Sequence, residues 1–291
     1  MEFVIYLTLV LFGLVLGSFA GASVWRLRAR QLVADKKNGD PVDHVEYTKL
    51  KHIAHEKVSN DHSLCLHCGY KLRWYDLIPL VSWIMLRGRC RRCRQPIGIM
   101  EPLIELGMAT FFVLSYVLWP FDLTSGLQIA QFIMWLIAGV GLGIMFAYDA
   151  RWFLLPNKIN IAVIILGITS VLLMIIGAPD HVGALFNVLG SVAVLSGIYF
   201  VLYLVSKGRW IGFGDIKLGL GLGLLLGDWK LAVIGLFFAN LIGCLIVIPL
   251  MIKGKLKRNS HVPFGPLLIA GAIIAKLVGM SIVEFYTLSL M

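Results

Sequence analysis

Charge is scarce in this chain. Of its 291 residues 14% are Asp, Glu, Lys or Arg, while 59% are hydrophobic and mean hydropathy is +0.86. Soluble domains carry about 25% charged residues, so an ordinary soluble domain is excluded and a polytopic membrane protein is indicated. Acids are the scarcer sign, 16 against 26 basic residues, for a net charge of +10. No glycine-rich nucleotide fingerprint follows a strand. No basic start precedes MEFVIYLTLVLFGLVLGSFAGASVW, which also runs too long for a cleavable signal and is expected to stay as a helix. Cysteine is limited to five residues, four of them within residues 65–93.

What the chain has instead is apolar runs. A spanning helix needs about 20 apolar residues, and the runs Glu2–Trp25, Pro102–Trp119, Leu127–Tyr148, Ile159–Gly177, Val182–Val205, Leu231–Ile252 and Pro266–Glu284 all qualify. An eighth, Ile216–Gly227 (IKLGLGLGLLLG), is short and glycine-rich; runs of that kind form re-entrant or tilted elements and let helices approach closely. The expected fold is all-α and polytopic, with about eight transmembrane helices. Residues 1–25 would be the first of them, 26–100 a zinc-binding loop domain between the first and second, and 101–291 the membrane core.

Basic residues set the orientation. Residues 26–99 hold 15 of the 26, and Lys253–Arg258 adds KGKLKR; the loops PFDLTSG and GAPDH hold none. Eight crossings with an external N-terminus place every basic loop in the cytoplasm. The charge thus reads as topology, with attraction to anionic lipid, and not as a nucleic-acid surface. The stretch 34–60 is polar and expected to be loosely ordered. Lys276, inside the last run, is expected to snorkel outward.

CLHC at 65–68 and CRRC at 90–93 give C-x2-C-x21-C-x2-C. Each pair sets two thiolates on one tight knuckle, and two knuckles supply the four corners of a tetrahedral Zn2+ site. Gly69 follows the first pair, where a knuckle turn often needs positive φ. Two disulfides are the rival, disfavoured in a reducing cytoplasm. Four ligands from Cys65, Cys68, Cys90 and Cys93 leave no open position, so the metal would be structural. Cys244, alone in an apolar run, reads as packing.

Acids near apolar runs are expensive and point to function. Asp122, Asp180 and Asp228 fall in short external loops, where solvation accounts for them. Asp149 closes the third run in GLGIMFAYDARWFLLPN and Asp215 opens the short one in GFGDIK, both at the cytoplasmic boundary. Such a pair, if it converged, would share a proton, one member activating water and the other protonating a carbonyl oxygen. Gly212 and Gly214 would allow unusual backbone and close substrate approach, and Pro156 stands where a helix start tolerates proline. The plain alternative is that both aspartates cap helix ends in solvent. Helix dipoles predict Asp149, at a C-terminus, as the acid and Asp215, at an N-terminus, as the base.

The combination of GFGD at 212–215, Asp149 followed by LLPN at 154–157, the paired CxxC knuckles and PFGP at 263–266 resembles the bacterial type IV prepilin peptidase family, the GxGD-type aspartic proteases of the inner membrane. GSFAGASVWRLR near the start and LIPLVSWIMLRGRCRRC carry the likeness further. The resemblance implies that Asp149 and Asp215 are catalytic, supported by Gly212, Gly214, Pro156 and Asn157. It implies cleavage of the short basic leader of prepilins or pseudopilins at the cytoplasmic membrane face. It implies methylation of the new N-terminal amine from S-adenosylmethionine, since methylating members carry the cysteine-bearing loop. IGIMEPLIEL after the last cysteine departs from relatives in lacking an arginine and a tyrosine; Glu105 matches and Glu101 is extra. Those two acids are candidates for receiving the leader, or simply for capping a helix. Two other classes stay open, an ion-coupled transporter and a zinc-loop adaptor without enzymatic activity.

Overall fold

The structure, a computed structural model, describes residues 2–54, 62–255 and 262–289. Among these residues the chain is helical, with two isolated β-bridges and no strand. It divides into two compact units, Met1–Val113 and Leu114–Met291.

In the first unit α1 runs over Glu2–Asn38, well past Trp25. Nothing in RLRARQLVADKKN breaks a helix, and Lys36 and Lys37 in the last turn suit its negative end. Gly39 follows with φ +83°, the left-handed residue that commonly ends helices. The next stretch is folded where it is described, against the expectation of loose order. Asp43 accepts from the N–H groups of Val45 and Glu46 and caps α2 (His44–Leu50). Leu50 and Ile53 pack with Ala29 and Leu32 of α1, and Arg28 pairs with Glu46. Residues 55–60 of that stretch lie outside the described residues. After a short α3 (Val81–Met85) comes α4 (Met100–Val117). Small residues let α1 and α4 touch backbone to backbone: a Cβ on Gly13 would lie 2.6 Å from Ala109 Cα, and one on Gly17 2.6 Å from Glu105 Cα.

The second unit holds α5 (Gly126–Trp152), α6 (Asn157–Gly177), α7 (His181–Val192), α8 (Ile198–Ser206), α9 (Phe213–Leu226), α10 (Trp229–Ile252) and α11 (Phe264–Ser289). A π-helical turn at Ala193–Gly197 joins α7 to α8. Two of the loop acids have duties beyond solvation. Asp180 caps α7 and Asp228 caps α10, each accepting backbone N–H bonds.

Seven helices among the described residues are long and apolar enough to cross a membrane, α7 and α8 forming one of them. The eighth predicted span is α9. Its 14 residues measure about 21 Å, short of a hydrocarbon core of about 30 Å. Its glycines explain why it nonetheless fits inside the bundle. Gly219 and Gly223 face α7 and its π turn so closely that a Cβ on Gly219 would collide with the Leu195 carbonyl and one on Gly223 would lie 3.1 Å from the Ser191 carbonyl. Gly221 meets Val163 of α6, at 3.0 Å from a hypothetical Cβ. The segment is a thin core helix packed on two sides.

Lys276 does not snorkel to the outside. Its Nζ donates to the Leu225 carbonyl at 3.2 Å, in the last turn of α9, near the rings of Trp119 and Phe121. A cation on the C-terminal carbonyls of a helix satisfies orphan acceptors and complements the dipole, and an acceptor in an apolar interior has no water to turn to. Lys276→Met is therefore expected to lower the unfolding free energy in detergent by about 1–3 kcal/mol, and Lys276→Arg to recover most of it, as read by thermal melts.

Candidate active site and metal centre

Asp149 stands in the last turn of α5, 5% exposed. That helix ends because Phe153 takes up a left-handed conformation (φ 56°, ψ 37°) and returns its N–H to the Asp149 carbonyl at 2.9 Å. The aspartate side chain points elsewhere. Its Oδ2 accepts from the N–H of Gly265 at 3.0 Å, in the first turn of α11, where helix N–H groups have no partners of their own. Asp149 is thus at the C-terminus of its own helix, while its carboxylate sits on the N-terminus of another.

Asp215 lies in the first turn of α9, and its Oδ2 accepts from the N–H of Gly212, the N-cap, at 3.2 Å. Asp149 is within electrostatic reach of it. Leu155, in the link from α5 to α6, ties the two positions together. Hypothetical Cβ atoms on Gly214 and Gly265 would lie 3.2 Å from Leu155 Cβ and 3.3 Å from Leu155 Cδ2. Pro156 is the N-cap of α6 with φ −64°, and Asn157 begins that helix, its Oδ1 accepting from Lys217 Nζ of α9 at 2.8 Å. The residues singled out around GFGD and LLPN therefore converge in this unit.

Two sequence arguments need revision. Gly212 is extended (φ −77°, ψ 148°) and Gly214 is helical, so neither uses the left-handed freedom of glycine. Gly214 is small because Leu155 presses on it. The dipole argument for unlike roles also fails, because both carboxylates are held at helix N-termini, and each has a second oxygen with no hydrogen-bond partner among the described residues. Two acids so held, within electrostatic reach of one another, are coupled in their titration. Gly265 was missed as a donor, although PFGP had marked the segment.

In the first unit the four cysteines come together. One ligand atom from each of Cys65, Cys68, Cys90 and Cys93 lies within 4.8 Å of every other, and the sulfurs of Cys65 and Cys93 are 3.9 Å apart. A tetrahedron with Zn–S bonds of about 2.3 Å has edges near 3.8 Å, so the donor set fits zinc. All four are free thiols, not disulfides. The two knuckles match step for step. Cys65 N–H bonds the Tyr70 carbonyl and Gly69 N–H the Cys65 carbonyl; Cys90 N–H bonds the Gln95 carbonyl and Arg94 N–H the Cys90 carbonyl. Gly69 has φ +65° as expected, and Arg94 occupies the equivalent position at φ +60°.

Burial pushes the Cys65 thiol up to about 12. Cys90 is desolvated too, but hydrogen bonds from the backbone N–H groups of Cys93 and Arg92 and from the Cys65 and Cys93 thiols together bring it down to about 7. Unequal thiols of this kind hold protons that a bound cation displaces. Arg91 braces the second knuckle, its Nε donating to Asp76 Oδ1 at 2.7 Å and its guanidinium lying over the Tyr75 ring.

Glu101 and Glu105 differ in how far they are engaged. Glu105 is buried, and its Oε2 accepts from the Leu80 N–H at 2.8 Å, so it holds the start of α3 against α4. Glu101 Oε1 accepts from Trp25 Nε1 at 3.0 Å, while its buried Oε2 has no hydrogen-bond partner among the described residues.

Comparison with known proteins gives the family. Residues 11–119 match the model of the bacterial peptidase A24 N-terminal domain, and residues 135–248 that of the type IV leader peptidase family. The chain is similar to proteins named prepilin leader peptidase/N-methyltransferase. The one from Pseudomonas putida is 30% identical, over 96% of this chain and 93% of its own length. The one from Pseudomonas aeruginosa is 29% identical over 95% and 91%, and that from Aeromonas hydrophila 29% over 97% and 94%. No solved structure matches the chain.

Proposed function

Because this chain belongs to the type IV leader peptidase family, we propose that Asp149 and Asp215 are the catalytic pair with which it removes prepilin leaders. The chain is an aspartic endopeptidase that cleaves the short basic leader of prepilins or pseudopilins and methylates the newly exposed N-terminal amine. The observation that supports the site most is that Asp149 of α5 and Asp215 of α9 lie within electrostatic reach of one another, with the N–H of Gly265 on the first and that of Gly212 on the second.

The pair holds one proton between its carboxyl groups. The ionised member takes a proton from a water whose oxygen attacks the scissile carbonyl carbon, while the protonated member gives its proton to the carbonyl oxygen. The C–N bond of the resulting tetrahedral diol then breaks, with one proton passing to the departing amine and another returning to the dyad. The backbone donors at Gly265 and Gly212 keep one oxygen of each carboxylate fixed, leaving the other for water and substrate. The aspartates stand at helix ends and not in mid-span, which leaves a transporter without its expected midplane site.

The finer placement follows from the basic loops: a bacterial inner-membrane protein with a periplasmic N-terminus and the dyad at the cytoplasmic face. Zn2+ held by Cys65, Cys68, Cys90 and Cys93 is structural, fixing the loop between the first two spans. S-adenosylmethionine supplies the methyl group. Glu101, in the first turn of α4, and Glu105 are the candidates for receiving the basic leader. Incubating the purified protein with a prepilin and S-adenosylmethionine should yield a product that has lost the leader and gained one methyl by mass spectrometry. An intact prepilin after prolonged incubation would refute the activity.

A further inference from the structure

Tyr199 is the second residue of α8 and is 5% exposed. Its hydroxyl is buried without a hydrogen-bond partner among the described residues. If Tyr199 only filled space, phenylalanine would do so without burying that O–H. The level of Tyr199 follows from the pairing of the span containing α7 and α8 with α9. Ser191 Oγ donates to the Gly223 carbonyl at 2.8 Å, Leu195 lies against Gly219, and Ser196 Oγ donates to the Ile216 carbonyl at 3.0 Å. Further along, the Tyr203 and Phe213 rings are in contact. Between those last two pairs, the partner level of Tyr199 is Asp215, and the two are within electrostatic reach. On its other side the Tyr199 ring meets Phe264 at 5.3 Å between centroids. Phe264 is next to Gly265, whose N–H holds Asp149.

The π turn at Ala193–Gly197 makes this possible. One inserted residue rotates everything after it by roughly 100° about the helix axis, and such insertions recur at functional sites. Here it turns Tyr199 toward α9 and α11 just before the span reaches the level of the aspartates.

We propose that Tyr199 is a third catalytic residue, whose phenol donates a hydrogen bond to the scissile carbonyl oxygen while that oxygen gains charge in the tetrahedral transition state. The phenol keeps its proton throughout, so the proton balance of the dyad is unchanged. The carbonyl oxygen receives this donor in addition to the protonated aspartate, in a site shielded from water, where a fixed donor acts most strongly. This role rests on the reading of Asp149 and Asp215 as the peptidase dyad.

Tyr199→Phe removes one oxygen and keeps the ring contact with Phe264. It should lower kcat for leader cleavage by about 10²–10³-fold with KM changed less than about twofold. Methylation of pilin supplied without its leader, and the melting temperature in detergent, should stay at wild-type values. An unchanged kcat, an effect confined to KM, or parallel loss of both activities and of the fold would each overturn the proposal. Asp215→Asn belongs in the same assay. If it still cleaves, the dyad reading fails; if it is inactive while Tyr199→Phe cuts normally, only the role of Tyr199 fails.

Discussion

Asp149→Asn and Asp215→Asn each lower the rate of leader cleavage by more than about 10⁴-fold, and the double variant is no slower than either single one. Catalytic groups that act as a unit are non-additive, because losing one already removes what the other contributes. Asparagine keeps the shape of the side chain, and its amide oxygen still accepts from the N–H of Gly265 or Gly212 in place of the carboxylate. The helices thus keep their contacts while the pair loses a proton-accepting oxygen. Mass spectrometry of the pilin product reads the rate, and methylation of a leaderless pilin reads the fold. A single variant that cleaves at near the wild-type rate would exclude a dyad mechanism.

Loss of zinc has the largest expected effect on stability. Structural zinc sites in small domains contribute about 10–16 kcal/mol of binding free energy at neutral pH, more than the whole stability of many domains. Among the described residues the loop around the four cysteines has no regular strand or long helix, and is held by two isolated bridges, Leu64 with Lys71 and Arg89 with Pro96, by the brace of Arg91 on Asp76, by the Leu80 N–H on Glu105 and by Leu64 and Leu66 against the α1–α2 cluster. Changing any of Cys65, Cys68, Cys90 or Cys93 to serine should take bound zinc from one ion per chain to none. It should also open the loop to limited proteolysis. Cys244→Ser, which touches none of this, should retain the full ion. A metal content unchanged by Cys90→Ser would refute the four-thiolate centre.

The spans were legible in the sequence because an apolar run of membrane length has few other uses. Their ends were not. The first helix continues beyond Trp25 since arginine and lysine are good helix formers, and nothing before Gly39 stops it. The packing of Leu50 and Ile53 on Ala29 and Leu32 involves too few residues to stand out in a polar stretch. Four cysteines at fixed spacing announce their geometry, because a tetrahedral ion permits few arrangements. Asp149 and Asp215 were visible as acids where acids are costly. Their surroundings were not, since a backbone N–H has no signature in sequence and the Gly265 contact is purely tertiary. The same holds for Lys276, whose position in the last span is plain but whose direction is set by a carbonyl on another helix. Tyr199 is one of nine tyrosines, distinguished only by the π turn before it.

The bond between Asp149 and Gly265 joins positions 116 residues apart, and this orders events during synthesis. Both aspartates emerge from the ribosome before α11 exists. At translation speeds of about 5–20 residues per second the wait between Asp215 and Gly265 lasts roughly 3–10 s. Through that interval the nascent chain has both acids but not the donor that fixes one of them, and under the proposed dyad cutting is expected only after α11 has formed.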